Sequence, residues 1–213
     1  MIDIISSISL HDALLITHVI GLVLGYGVAI SIDFLLLRAL LSRRLSPIIL
    51  DVAQHAARLT TLGLLILWLS GIGFLFEYRN TAPEKLENPK IYAKIIIVTL
   101  LSLNGYLIHR FVFPTLWRYA GKDVLGLASS RVLLVFCVCA AISTVSWIFP
   151  LILGLNSALN FSYPAEELLV QYVVSVLFGI SVFSFSLLIW FRYFCTHRAN
   201  VPCVKIVLSI FRT

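Results

Sequence analysis

Five apolar stretches, each long enough to cross a bilayer, constrain this chain more than any other feature. A helix needs about 20 mostly apolar residues to cover a hydrocarbon core of roughly 30 Å. Runs of that kind, bounded by charge or by Pro and Gly, extend over about 13–37, 50–76, 91–116, 132–155 and 168–194. No water is present at that depth to satisfy exposed backbone groups, so apolar runs of this length fold as helices. Composition agrees: 60% of residues are hydrophobic, 12% are charged and the mean hydropathy is +1.01, outside the range of a soluble domain. The expected fold is all-α, a polytopic bundle of five transmembrane helices. Connections are short, so residues 1–213 form a single integral membrane domain.

Loop charge sets the expected orientation, because cytoplasmic loops carry the excess of Lys and Arg. Twelve basic residues fall on one side: Arg38, Arg43, Arg44, Arg58, Arg110, Arg118, Lys122, Arg131, Arg192, Arg198, Lys205 and Arg212. The other side has Arg79, Lys85, Lys90 and Lys94, offset by Glu77, Glu84 and Glu87. The N-terminus is therefore expected outside and the C-terminus in the cytoplasm, in a bacterial inner membrane. "MIDIISSISLHDALL" has no basic leader region, which argues against a cleaved signal peptide. The net charge of +6 reads as a topology signal and an attraction to anionic lipid, with no nucleic-acid partner implied. Lys205, Ser209 and Arg212 suggest an interfacial helix in the tail.

Four cysteines add little. Cys137 and Cys139 point to different faces of one helix, and Cys195 and Cys203 fall in a reducing compartment. Neither pair reads as a disulfide or a metal site.

Chemistry must come from ionisable groups in or near the membrane, which are costly there and so usually face the interior and find a partner. The candidates are His18, Asp33, His55, Arg58, Lys94, His109 and Arg110. At 100° per residue, Lys94, Val98, Leu101, Gly105 and His109 share one stripe, and His18, Leu22, Gly25, Ala29 and Asp33 share another. Gly21, Gly25 and Ala29 repeat every fourth position, letting a helix or a flat ligand approach the backbone. His55 shares a face with Leu62, Ile66 and Gly73. Depth then sorts the groups into an inner cluster of His55, His109, Asp33, Arg58 and Arg110, and an outer one of His18 and Lys94 with Tyr92 and Tyr26.

Paired histidines on antiparallel helices suit a b-type haem, with small residues beside the macrocycle and Arg near the propionates. His55 with His109 is the expected axial pair, His18 a rival ligand, Arg58 or Arg110 the propionate partner, and Gly25 part of the slot. Span midpoints leave His55 about 10 Å closer to the cytoplasm than His109. Each candidate also has a plain reading. Asn104 and His109 suit interhelical glue, Lys94 can snorkel, His55 and Arg58 suit a membrane boundary, His11 and His197 suit exposed ends, and Trp68, Trp117, Trp147 and Trp190 suit packing or interface belts.

The stretches "LLITHVIGLVLGYGVAISID", "LGLLILWLSGIGFLF" and "NPKIYAKIIIVTLLSLNGYLIHRFVFPTL" carry a resemblance. The elements are an early His in the first span, Ser-Gly late in the second, and a third span led by Pro89 and Lys94. Asn104, Gly105, His109, Arg110 and Pro114 follow. Over about residues 13–117 the chain resembles small bacterial membrane proteins related to the copper-resistance protein D family, and more distantly the HemJ-type protoporphyrinogen oxidases. The resemblance to the latter implies functional roles for His18 and Lys94 and binding of haem. The segment "SIDFLLLRALL" replaces an aromatic-rich one of that family, which speaks against porphyrinogen oxidation itself. Met1 is the one methionine, which disfavours copper transport. The expected function is a membrane-embedded haem b protein acting in electron transfer or an oxidoreductase step, with a quinone or a redox protein as partner and a homo-oligomer as one arrangement. The alternative is a non-haem transporter or assembly subunit whose intramembrane His, Lys and Asp form a proton or substrate pathway.

Overall fold

The computed structural model describes residues 9–41 and 45–197, with side chains throughout except at 125–126 and 190–197. Arg43, Arg44, Cys203 and the tail residues Lys205, Ser209 and Arg212 lie outside the described residues, as do the side chains of Trp190, Cys195 and His197. Five helices are long and apolar enough to cross a membrane: α1 (Leu10–Leu41), α2 (Pro47–Thr81), α3 (Pro89–Arg118), α4 (Ser130–Leu155) and α5 (Ala165–His197). No strand occurs among the described residues. The chain is a multi-pass membrane protein of the expected all-α class.

Each helix outruns its apolar stretch because its cap lies in the polar flank. At the start of α1, the Ser9 hydroxyl accepts from the Asp12 N–H at 3.1 Å while the Asp12 carboxylate accepts from the Ser9 N–H at 3.1 Å, a reciprocal capping box. Ser46 caps α2 through the Ile49 N–H and Asn88 caps α3 through the Lys90 N–H, each followed by a proline whose missing N–H costs nothing there.

Two helices contain wide turns that period counting does not reveal. Val23–Gly27 of α1 and Ile108–Val112 of α3 are π-helical. In α3 the cause is Pro114, which has no N–H to give and crowds the carbonyl a turn earlier, so the ladder loosens upstream of it. In α1 the segment holds Gly25 and Gly27, which impose the least resistance to a distorted turn.

The small-residue repeat of α1 packs on α2, as its spacing suggests. Gly21 and Gly25 lie against Gly63, so closely that a Cβ at Gly63 would sit 2.6 Å from Gly25 Cα and 2.8 Å from the Gly21 carbonyl oxygen. The packed stripe of α2 is Leu50, Ala53, Ala57, Gly63, Leu67 and Ser70. His55, Arg58 and Leu62 lie on its exposed side, opposite to the face the sequence suggested for His55. α3 packs on α4, and α5 covers the pair, fixed by a hydrogen bond of 2.8 Å between Ser146 and Tyr172.

Apolar layers stack along the bundle. Ala93, Leu153 and Leu168 occupy one end, and Ala29, Leu67, Leu101 and Trp147 the middle. Ile32, Ala53, Ala57 and Phe113 come next, and Ala39, Leu45, Leu50 and Leu116 close the far end. Large side chains cover the outside: Phe34, Leu69 and Phe178 are 69%, 70% and 71% exposed. Such a surface aggregates in water and is satisfied by lipid.

Candidate functional site

Two polar stations lie along the interior, separated by the middle apolar layer. The first is built on His18. Its Nδ1 lies 2.8 Å from the Ser70 hydroxyl, whose single hydrogen is committed to the Ile66 carbonyl at 2.8 Å. A ring protonated at Nδ1 can donate to Ser70 while Ser70 donates to its own helix, and that tautomer leaves the Nε2 lone pair bare. The ring is also held edge-on to Phe74, with centroids 5.8 Å apart. Lys94 approaches from α3: its charge acts on the His18 ring, and its Nζ would lie 3.5 Å from a Cβ at Gly154 of α4. His18 and Lys94, grouped by depth in the sequence, lie on the same side of the middle apolar layer. Of their two expected companions, Tyr26 stacks on Trp147 with centroids 6.1 Å apart, while Tyr92 is exposed at the outside of α3.

The second station is a cavity of about 100 Å³ at the other side of the middle layer. Asp33 of α1, Thr60 and Thr61 of α2, Asn104 and His109 of α3 and Ser143 of α4 line it, among apolar walls that include Trp147 and Phe113. The Asn104 Nδ2 donates to the Cys139 carbonyl at 3.0 Å, the interhelical bond expected of it, and this leaves Oδ1 buried without a donor. The His109 Nε2 lies 3.4 Å from Thr61 Oγ1, which gives its own hydrogen to the Ala57 carbonyl at 3.0 Å. Among the described residues the Asp33 carboxylate has no hydrogen-bonding or ion-pair partner.

Trp147 divides the stations. It is 4% exposed and covers Gly25 so tightly that a Cβ there would strike its ring. At 1.5 Å per residue, His18 and Asp33 are about 22 Å apart along α1, with Gly25 between them.

A b-type haem with paired axial imidazoles needs two rings facing one iron. The residues expected to provide this do not meet. The His55 side chain is 64% exposed and its Nδ1 binds its own helix at the Asp51 carbonyl, 2.9 Å away, with the Asp51 carboxylate at 3.5 Å. His109 meets α2 at Thr61, six residues or about 9 Å along the axis from His55. The offset anticipated from span midpoints is therefore real. His18 meets α2 at Ser70, about 13 Å further along from Thr61. Arg58 and Arg110 are exposed, the latter lying 5.6 Å from the Phe111 ring. A flat group does sit over Gly25, but it is the Trp147 indole. Among the described residues no three His, Cys, Asp or Glu side chains converge on one point.

Several participants escaped the sequence reading. Ser70, Thr60, Thr61 and Ser143 are ordinary hydroxyls in helices until the fold shows what faces them. Lys90 is 5% exposed and donates to the Asn156 carbonyl and to Asn160 Oδ1, each at 2.8 Å, tying α3 to the α4–α5 loop. His11 binds the Glu77 carboxylate at 3.0 Å and so clamps α1 to α2 at the His18 end. Comparison with protein-family models, with curated proteins and with solved structures returns no match.

Proposed function

We propose that this chain is a non-haem membrane protein of the transporter or assembly-subunit class, whose interior carries a gated pathway for a proton or a small substrate. The observation that carries this reading is the division of protonatable groups by Trp147: His18 and Lys94 on one side, Asp33 and His109 on the other, the second pair lining a largely apolar cavity. Ionisable side chains deep in a bilayer are costly to hold and mark pathways by default. Loop charge orients the bundle in a bacterial inner membrane with the Asp33 station toward the cytoplasm and the His18 station outward.

Removing the divider tests the reading. Trp147→Ala, and the milder Trp147→Phe, are purified, checked for monodispersity and reconstituted into vesicles loaded with a pH-sensitive dye under a potassium-diffusion potential. Trp147→Ala is expected to raise proton flux at least tenfold over wild type, Trp147→Phe by less, and adding Asp33→Asn to Trp147→Ala is expected to abolish the increase. Flux that ignores Trp147, or that persists without the Asp33 carboxylate, refutes the pathway.

One observation favours a second reading. Ser70 lies within hydrogen-bonding distance of His18 Nδ1, a partner able to hold the Nδ1–H tautomer that a metal ligand needs. A haem b held by this single imidazole would colour the purified protein, and His18→Ala would bleach it. Colourless protein ends that reading, together with its quinone or redox partner.

A further inference from the structure

The cavity at Asp33 differs in kind from a water-filled gap. Asp33, Thr60, Thr61 and Asn104 line it with oxygen atoms, and His109 and Ser143 complete its polar lining. The Thr60 and Thr61 hydroxyls spend their hydrogens on the Ala56 and Ala57 carbonyls, at 3.3 and 3.0 Å. The Asn104 amide spends an N–H on the Cys139 carbonyl and leaves its Oδ1, on a residue 3% exposed, with no donor. The Asp33 carboxylate faces the same space unpaired among the described residues. A carboxylate without a cation in such a space is costly unless an occupant supplies one.

Charge and size then define the occupant. One carboxylate balances one positive charge, and a divalent ion would leave a charge uncompensated in low dielectric. A single water needs roughly 10–15 Å³ of such space. The cavity, at about 100 Å³, is several times larger than one water or a bare ion requires. Apart from His109 and Ser143, its remaining walls are hydrocarbon and the aromatic side chains Trp147 and Phe113, a lining that suits an organic cation and offers a small ion few oxygens to replace its hydration.

We propose that the Asp33 cavity binds a small protonated amine, its ammonium hydrogens donated to Asp33 and the threonine hydroxyls and its hydrocarbon body packed against Trp147 and Phe113. This rests on the pathway reading for its biological sense, and names the substrate class of that pathway. The geometry of binding does not require transport.

Purified full-length protein in mild detergent is heated with n-butylammonium, tetramethylammonium, n-butanol or sodium chloride, and unfolding is followed by intrinsic fluorescence. Butylammonium is expected to raise the midpoint saturably, by about 3–6 °C at tenfold excess over Kd. Butanol lacks the charge and tetramethylammonium lacks N–H donors, so neither should match it. The isosteric Asp33→Asn is expected to remove the response. Thr61→Val, at the cavity rim, should weaken it severalfold and guards against a folding defect in the first variant. Equal stabilisation by butanol would show only an apolar hole, and equal stabilisation by sodium would show a metal-ion site; either overturns the proposal, as does an unchanged response in Asp33→Asn. The vesicle assay on Trp147→Ala fails or succeeds independently. A leak without amine binding defeats this inference and leaves the pathway, whereas amine binding without a leak makes the cavity a receptor site instead.

Discussion

Substituting Gly63 with Ala tests the closest contact in the fold. The new Cβ would lie 2.6 Å from Gly25 Cα and 2.8 Å from the Gly21 carbonyl oxygen, and closer still to the Gly25 nitrogen. Carbon atoms pack best at about 3.5–4.0 Å, so α1 and α2 must part by roughly 1 Å at this crossing. All the near atoms are backbone, so no side chain can swing aside. A gap of that size forfeits about a quarter to a half of the dispersion attraction across it, and overpacking of this kind costs about 1–3 kcal/mol. For a chain of this length the midpoint of thermal unfolding should fall by about 2–12 °C. Gly27→Ala is the control: it is a glycine of α1, two residues from Gly25, and its added Cβ meets nothing within 4 Å. That variant should unfold at the wild-type temperature or slightly above, because Ala favours helix. The His18 to Ser70 bond lies seven residues along α2 from Gly63 and should loosen in the first variant alone, seen as a change in the imidazole nitrogen shifts by NMR. If both alanines shift the midpoint alike, the two helices do not cross at these glycines and the registry of both stations is wrong.

Lys90→Met removes two hydrogen bonds made by a nearly buried ammonium; it should cost about 1–3 kcal/mol by denaturant titration in detergent, and Lys85→Met, on an exposed neighbour, should cost almost nothing. A double-mutant cycle on His11→Ala and Glu77→Gln should give a coupling below about 1 kcal/mol, since His11 is 45% exposed and salt screens the pair. Asn104→Leu should cost about 0.5–2 kcal/mol for the lost bond to Cys139, offset by relief of the orphaned Oδ1. Its stability should therefore exceed that of Asn104→Asp, which keeps an acceptor and loses the donor.

Much of this architecture is legible in the chain because lipid imposes so few solutions. Five spans, their order and the glycine seam of α1 follow from length and spacing alone, whereas the caps at Ser9, Ser46 and Asn88 lie in polar flanks that hydropathy leaves outside the spans. Depth, which is linear in residue number, groups His18 with Lys94 and Asp33 with His109, but it also groups His55, Arg58 and Arg110 with the latter, and these do not line the Asp33 cavity. What fails is facing. His55 lies on the exposed side of α2 because Ala53, Ala57 and Gly63 present the smaller surface and let α1 come closer, and in a membrane the packed face is the small one and need not be the polar one. Hydropathy carries no such signal. Lys90 and Lys94 are likewise indistinguishable by type; only the Asn156 and Asn160 loop, folded back over α3, makes the first a tether and leaves the second free for the interior.

The stripe drawn through Lys94 and His109 shows how one residue type redirects a helix. At a uniform 100° per residue the two share a face, yet Lys94 points at Gly154 of α4 and His109 at Thr61 of α2. The π-helical turn begins at Ile108, one residue before His109, and Pro114 enforces it. A wide turn advances the chain less around the axis per residue, so a side chain within it lags the straight-helix position, here toward α2 and the Asp33 cavity. The second wide turn, at Val23–Gly27, lies where Gly25 yields to the Trp147 ring. Each distortion therefore coincides with a part of the proposed pathway: one with the divider, the other with a wall of the cavity. Straightening α3 with Pro114→Ala should rotate His109 away from Thr61 while leaving His18, Ser70 and Lys94 in place. The Asp33 station would be remodelled and the His18 station left intact, a separation expected of two sites on one helix only if the turn between them sets their relative direction.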